Sequence, residues 1–217
     1  MQRITAIEIQ RNRPDRVNIH LDGEFAFGLG RPLAERLKVG QDLSEARISS
    51  LQQADADQRA YEQALLYLSF RPRSEAEIRK NLEKHQHAGT AIERILARLR
   101  SEGYADDASF ARAWVDNRAT FRPRGRQALS AELRLKGLDD NQVREAVTNV
   151  DEAALAQAAA RNRSRRLTGL EWPEFRQKLT AYLRRRGFPF DIISRVVRDT
   201  WNELHSSSID SAEKDES

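Results

Sequence analysis

The sequence contains no cysteine, which excludes disulfides and thiolate metal sites and leaves nothing to indicate an oxidising compartment. Histidine is scarce, with four in the chain. A metal centre needs about three or four convergent ligands, so the neighbouring His85 and His87 are read as turn residues and no metal site is assigned. Long apolar runs are also missing. Met1 to Thr5 does not begin a signal peptide, and no stretch approaches the roughly 20 apolar residues that span a bilayer. The expectation is a soluble, cytoplasmic protein with no membrane partner. Nor is there a glycine-rich phosphate loop with its lysine, a G-x-S-x-G elbow or an H-E-x-x-H pair. The acidic pairs Asp106–Asp107 and Asp139–Asp140 stand just before predicted helices, where carboxylates cap free N–H groups. No catalytic residue and no cofactor is assigned, and the chain is not expected to be an enzyme.

What is present is charge. Of 217 residues, 39% are hydrophobic and 32% charged, enough for several small cores but thin for one large one. The formal net charge of +4 is unevenly spread. The stretch from Ser206 to Ser217 carries Asp210, Glu213, Asp215 and Glu216 against Lys214 alone, and is predicted to be a disordered acidic tail. The stretch from Glu152 to Leu204 is rich in arginine: Arg161, Arg163, Arg165, Arg166, Arg184, Arg185 and Arg186. Such a surface suits a polyanion such as nucleic acid; solvation of helix faces explains it equally well.

Apolar periodicity divides the chain. Ile4 to Ile9, Val17 to Leu21 and Phe25 to Phe27 alternate with period two, which predicts about three antiparallel strands. Asp22–Gly23 between two of these runs is a strong hairpin signal. Pro32, Leu33 and Leu37, with Gly40 as a stop, predict a short helix covering one face of that sheet. Ser44 caps a long helical stretch containing Ile48, Leu51, Leu65, Leu66 and Leu68. Its polar middle, Gln52 to Arg59, reads as a solvent-exposed connector, and the pattern leaves open whether residues 44–70 form one helix or two.

From Tyr61 onward the periods are helical and an internal repeat emerges. Leu129, Leu133, Gly137, Leu138, Val143 and Val147 recur 50 residues later as Leu179, Leu183, Gly187, Phe188, Ile193 and Val197. Polar positions follow, with Arg126–Gln127 matching Arg176–Gln177 and Lys136–Gly137 matching Arg186–Gly187. A weaker copy lies 51 residues upstream at Ile78, Leu82, Ile92 and Leu96, with Gln86 and His87 where the later copies carry glycine and an apolar residue. The pattern is an apolar i, i+4 pair, a left-handed turn, an apolar plug and a second helix. A preceding helix in each copy is marked by Leu65 and Leu68, by Phe110 and Trp114, and by Leu155 and Ala159. The expected fold is therefore mainly α: three tandem three-helix, helix-turn-helix-like repeats in an elongated curved array, preceded by a small antiparallel β-sheet module. Expected boundaries are 1–43 for the sheet module with its short helix, 44–60 for a helical connector, 61–104, 105–150 and 151–205 for the repeats, and 206–217 for the tail.

The aromatics Phe110, Trp114, Trp172, Phe175, Phe188 and Trp201 sit where the repeat needs packing and are assigned to core rather than base stacking. By contrast, Phe121-Arg122-Pro123-Arg124-Gly125-Arg126 reads as a loop presenting three arginines before a helix N-terminus, suited to phosphate or an acidic surface. Arg71-Pro72-Arg73-Ser74 does the same one repeat earlier, with Ser74 as N-cap and Glu77 at the capping-box position. A solvated basic loop is the plainer reading of both.

The run Leu68-Ser69-Phe70-Arg71-Pro72-Arg73-Ser74-Glu75, then Glu102-Gly103-Tyr104 with Asp107 and Phe110-Ala111-Arg112, then Gly125 with Glu132-Leu133 and Lys136-Gly137, resembles the RecX family of recombination regulators over residues 61 to 204. Arg16-Val17-Asn18-Ile19, Asp22-Gly23 and Phe25 look like the N-terminal extension of its longer members. The resemblance implies a cytoplasmic bacterial protein, not an enzyme, that lies in the groove of the RecA filament and restrains RecA's ATP hydrolysis, strand exchange and co-protease activity in recombination and DNA repair. The partners it implies are the RecA filament and single- or double-stranded DNA, with the protein acting as a monomer. The expected contact residues are Arg71, Arg73, Arg122, Arg124, Arg126 and Lys136, followed by Arg184, Arg185 and Arg186. The competing reading is a helix-turn-helix protein that acts on DNA without RecA.

Overall fold

The N-terminal strands fold as their alternation dictates. In the computed structural model, which describes residues 1–212 and side-chain surroundings through Ser206, β1 (Gln2–Gln10), β2 (Arg13–Leu21) and β3 (Glu24–Gly30) pair antiparallel in sequence. The Asp22–Gly23 turn has φ of 50° and 93°, the two positive values a type I′ turn requires. Ile4, Val17, Ile19, Leu21, Phe27 and Leu29 are buried on one face. The predicted short helix is a single turn, α1 (Arg31–Ala34), and the chain then returns as a fourth strand, β4 (Asp42–Leu43), beside β1. The expectation of three strands is corrected to four, because a two-residue strand is too short to carry a period. Leu37 and Leu43 close this small core together with Leu51.

Residues 45–69 form one continuous helix, α2 (Glu45–Ser69), whose N-cap Ser44 accepts from the Arg47 amide. Its polar middle is not a solvent-exposed connector. Asp55 is 4% exposed and accepts from both terminal nitrogens of Arg16 on β2 at 3.0 and 2.8 Å, from the Gly30 amide at 2.8 Å, and pairs with Arg59 at 3.1 Å. A carboxylate can be buried when charge and hydrogen bonds both compensate it. Here the compensation comes from a strand about 39 residues away in sequence, beyond any local pattern.

The first repeat combines the end of α2 with α3 (Glu75–Lys84) and α4 (Gly89–Ser101). Ala60 and Ala64 take the deepest positions on α2, against Ile78 and Leu82 of α3 and Ile92, Ile95, Leu96 and Leu99 of α4. Leu65 and Leu68 are half-buried at the edge of the same core. Gln86 stands in for the expected glycine and takes φ of 61°, so the turn keeps its left-handed geometry. Burial pushes the His87 imidazole below its ordinary value, with the Arg59 charge acting in the same direction, as suits a neutral ring at the plug position.

By chain contacts, Met1–Arg73 with Glu77–Ala105 forms one compact unit, and Ser74–Ala76 with Asp106–Ser217 a second. The second unit holds two repeats. One comprises α5 (Asp107–Phe121), α6 (Arg126–Leu135) and α7 (Asp140–Thr148), and the other α8 (Glu152–Ser164), α9 (Trp172–Arg185) and α10 (Phe190–Ala212). Asp106 caps α5, and Asp139 forms a full capping box with Gln142 at the start of α7. Each repeat has its own core: Phe110, Leu129, Leu133, Leu138 and Val143 in one, Phe175, Leu179, Leu183, Phe188 and Ile193 in the other. α10 runs past Ser206 as far as Ala212, where the acidic tail was expected to have begun; residues 213–217 of that tail lie outside the described residues.

Within this unit a recurrent contact joins each left-handed turn to a preceding helix start. The Gly125 amide donates to the Arg186 carbonyl at 2.9 Å, and the Ser74 hydroxyl donates to the equivalent Lys136 carbonyl at 2.6 Å. A methyl group on Gly187 would lie 2.6 Å from Ala128 Cβ and 2.7 Å from its amide nitrogen. Close approach as well as positive φ therefore requires glycine there.

Candidate nucleic-acid interface

Four groups govern how the arginines of the second unit are used: two carboxylates in the second repeat, Glu132 and Asp140, and the residues at their places in the third, Tyr182 and Phe190. Glu132 on α6, with its side chain 16% exposed, sits 2.7 Å from Arg118 Nε and 2.9 Å from Arg124 Nε, and accepts from Trp114 Nε1 at 2.7 Å. The Arg124 N–H is not aimed at the oxygen, so that contact is an ion pair rather than a hydrogen bond. The Arg118 guanidinium and the Lys136 ammonium lie over the Trp114 ring at 4.3 and 4.9 Å, a cation–π arrangement. Most cations around this carboxylate are engaged within the protein. Arg134 is paired with Asp140 at 2.8 Å, and Arg126 donates to the Val150 carbonyl and lies 3.7 Å from Glu152.

The third repeat keeps two of these arginines and loses the acids at the places of Glu132 and Asp140. Fifty residues on, Tyr182 replaces Glu132 and Phe190 replaces Asp140, while Arg176 and Arg184 remain in the places of Arg126 and Arg134. Arg176, Arg184 and Arg185 line one open face of α9 with Gln177, Thr180 and Ala181. Among the described residues none of these three arginines has an ion-pair partner. That face lies opposite the buried Phe175, Leu179 and Leu183, so its polarity follows from the helical period.

The nine arginines and lysines expected from sequence therefore fall into two groups. Arg71 pairs with Glu77 at 2.9 Å and Arg73 stacks 4.0 Å from the centre of the Tyr67 ring. Arg124, Arg126 and Lys136 are engaged as described, and Arg186 donates to the Pro123 carbonyl at 3.0 Å. Arg122, Arg184 and Arg185 are exposed, and among the described residues their side chains make no ion pair. The sequence predicts that the loop Phe121–Arg126 presents three arginines together. Instead Pro123 and Gly125 are buried against the Arg186–Gly187 turn, which directs Arg124 and Arg126 inward to partners of their own.

Sequence reasoning placed Arg163 and Arg166 in a basic stretch but not in the site, and passed over Tyr182. They line a cavity of about 290 Å³ with Phe121, Pro123 and Arg186. The signal was available in the repeat alignment, which sets Tyr182 against Glu132 and so marks the loss of a negative charge.

Comparison with known proteins yields four matching family models. They are described as the regulatory protein RecX N-terminal domain over residues 2–44, and the first, second and third RecX three-helix domains over 60–99, 106–147 and 150–197. A protein of Bacillus licheniformis named regulatory protein RecX is 35% identical over 205 residues, covering 92% of this chain and 78% of its own. One of the same name from Bacillus pumilus is 32% identical, covering 93% and 79%. A crystal structure of a regulatory protein RecX superposes with a TM-score of 0.68 at 29% identity over 90% of this chain and 98% of its own. At 23% identity, the RecX of Lactobacillus salivarius shares the fold with a TM-score of 0.60 over 68% of this chain and 97% of its own.

Proposed function

The chain belongs to the RecX family, and from that premise we propose that it binds the nucleoprotein filament formed by RecA on DNA and restrains RecA's ATP hydrolysis, strand exchange and co-protease activity. In this reading it is a non-enzymatic regulator in recombination and DNA repair, acting as a monomer in the cytoplasm. The observation that carries the reading is the cationic face of α9, where Arg176, Arg184 and Arg185 stand on a folded helix and make no ion pair among the described residues. Among the described residues the ion pair within that helix joins Lys178 to Glu174 at 2.6 Å and includes none of the three arginines.

Several weak contacts to a polymer sum to useful affinity even when no one of them is a deep site. Cationic groups already neutralised within the protein contribute little to such a sum; groups held in solvent contribute most. The reading therefore gives Arg122, Arg184 and Arg185 the contact role and assigns Arg71, Arg73, Arg124, Arg126 and Lys136 mainly to positioning the loops and turns around them, with Arg186, held by a carbonyl and a ring but by no carboxylate, able to do both. We take residues 1–43, 44–60, 61–104, 105–150 and 151–205 as the working boundaries of the parts.

The test is RecA ATP hydrolysis and filament disassembly on single-stranded DNA, titrated with this protein. Stoichiometric amounts or fewer are expected to slow hydrolysis. The double variant Arg184→Glu/Arg185→Glu is expected to need about tenfold more protein for the same effect, with unchanged helical content by circular dichroism. If the wild-type protein at stoichiometric amounts alters neither hydrolysis nor filament length, the proposal fails.

A further inference from the structure

We propose that the cavity at the ends of α5, α8 and α9 binds a phosphodiester of single-stranded nucleic acid, with a base of that strand stacked on Phe121. This rests on the nucleic-acid part of the reading above but not on RecA. The cavity holds about 290 Å³, close to the lower end of small-molecule sites at roughly 300 Å³, which suits a phosphate and its sugar better than a buried cofactor. Arg163, Arg166 and Arg186 line it, and no carboxylate does.

The floor is preorganised. Arg186 and Arg163 lie over the Tyr182 ring at 4.5 and 5.5 Å, and Arg186 is further fixed by the Pro123 carbonyl. Two guanidiniums held by ring stacking lose less side-chain freedom on meeting an anion than two free ones would. Arg163 Nε is buried and has no hydrogen-bond partner. A buried donor left unmatched in the protein calls for an explanation, and an anionic oxygen in the cavity supplies one. Arg166 is exposed at the same site and makes no ion pair among the described residues.

The second repeat provides the contrast. Glu132 there occupies the position of Tyr182 and takes up Arg118 and Arg124, so an incoming phosphate would meet a carboxylate. The third repeat has exchanged that carboxylate for a ring.

Phe121 decides the class of ligand. It stands at the rim with 74% of its surface exposed, so its ring is open to a ligand. A guanidinium cluster alone would serve an acidic peptide equally well. A free aromatic face beside it matches the pairing of backbone phosphate and stacked base by which unpaired strands are held.

The experiment is fluorescence anisotropy of a labelled oligothymidylate titrated with the full-length protein, without RecA, at several salt concentrations. Arg166→Gln and Phe121→Ala change exposed side chains and carry different signatures. The first is expected to weaken binding and lower the slope of log affinity against log salt by about 0.7, the value for one phosphate on a single strand. The second is expected to weaken binding about fivefold or more while leaving that slope unchanged. Tyr182→Glu, which restores the acid of the second repeat, should act as Arg166→Gln does or more strongly, provided circular dichroism shows an intact fold. Wild-type affinity in both Arg166→Gln and Phe121→Ala overturns the proposal. So does displacement of the strand by an equal concentration of polyglutamate together with an indifferent Phe121→Ala, which would reassign the site to an acidic peptide. Should the wild-type protein leave RecA unaffected while these variants behave as stated, the filament reading falls and this one stands.

Discussion

Gln86 holds φ at 61° where the second and third repeats use Gly137 at 87° and Gly187 at 78°. The turn needs that conformation because the chain must reverse between two helices packed on one core, and the neighbouring amides return to the end of α3: those of His85 and His87 both donate to the Leu82 carbonyl. A residue with a Cβ pays about 1–2 kcal/mol for left-handed backbone, partly offset by the smaller entropy it loses relative to glycine on folding. Gln86→Gly is therefore expected to stabilise the chain by about 0.5–1 kcal/mol, read as a higher urea midpoint with unchanged slope. An unchanged or lowered midpoint would show that the glutamine side chain compensates its own backbone. Exposed aromatics follow the same residue-level logic. Phe70 and Phe121, both 74% exposed, stand at equivalent places before the two Arg-Pro-Arg loops, where the helix ends and no core remains to cover them.

Among the elements, α2 does two jobs at once. Its N-terminal half covers the sheet through Leu51 and Asp55, and its C-terminal half supplies Ala60 and Ala64 to the first repeat. The small residues at 60 and 64 let α4 approach closely, while the Asp55–Arg16 pair locks α2 onto β2 and β3. Removing one partner of a buried ion pair leaves the other charge uncompensated and costs about 3–5 kcal/mol. Asp55→Ala is accordingly expected to destabilise the chain by that amount in urea denaturation, and Arg16→Ala by a comparable one. A loss below about 1 kcal/mol, the range of surface pairs, would show that the pair is solvated in solution. The same distinction explains why Arg3–Asp42, at 63% and 46% side-chain exposure, is not expected to matter in this way.

For the molecule as a whole, the excess of positive charge is modest at +4, and its effect depends on which cations are already neutralised. Binding to single-stranded DNA is expected to be weak, indifferent to base sequence and strongly salt-dependent, with log affinity falling by about 0.7 per log unit of salt for each phosphate engaged. Filter retention of two unrelated oligonucleotides over a salt series measures this. A marked preference for one duplex sequence, insensitive to salt, would favour a stand-alone helix-turn-helix reader instead. Among the described residues no helix is long and apolar enough to cross a membrane, in keeping with a chain whose apolar residues are consumed by several small cores.

Hydrophobic period and turn chemistry are local properties, and they were legible in the sequence: the hairpin at Asp22–Gly23, the caps at Ser44, Asp106 and Asp139, the repeated helix-turn-helix and the core positions of Phe110, Phe175 and Phe188 all follow from neighbours within a few residues. The two-residue strand β4, the burial of Asp55 and the fate of each arginine did not follow. A charged side chain reads the same in sequence whether it is solvated, paired or stacked, because its partner is supplied by another element: Glu132 for Arg124, the Val150 carbonyl for Arg126, the Pro123 carbonyl for Arg186. Tertiary structure alone brings those partners within hydrogen-bond range, and so it alone decides which cations remain available to an anionic polymer.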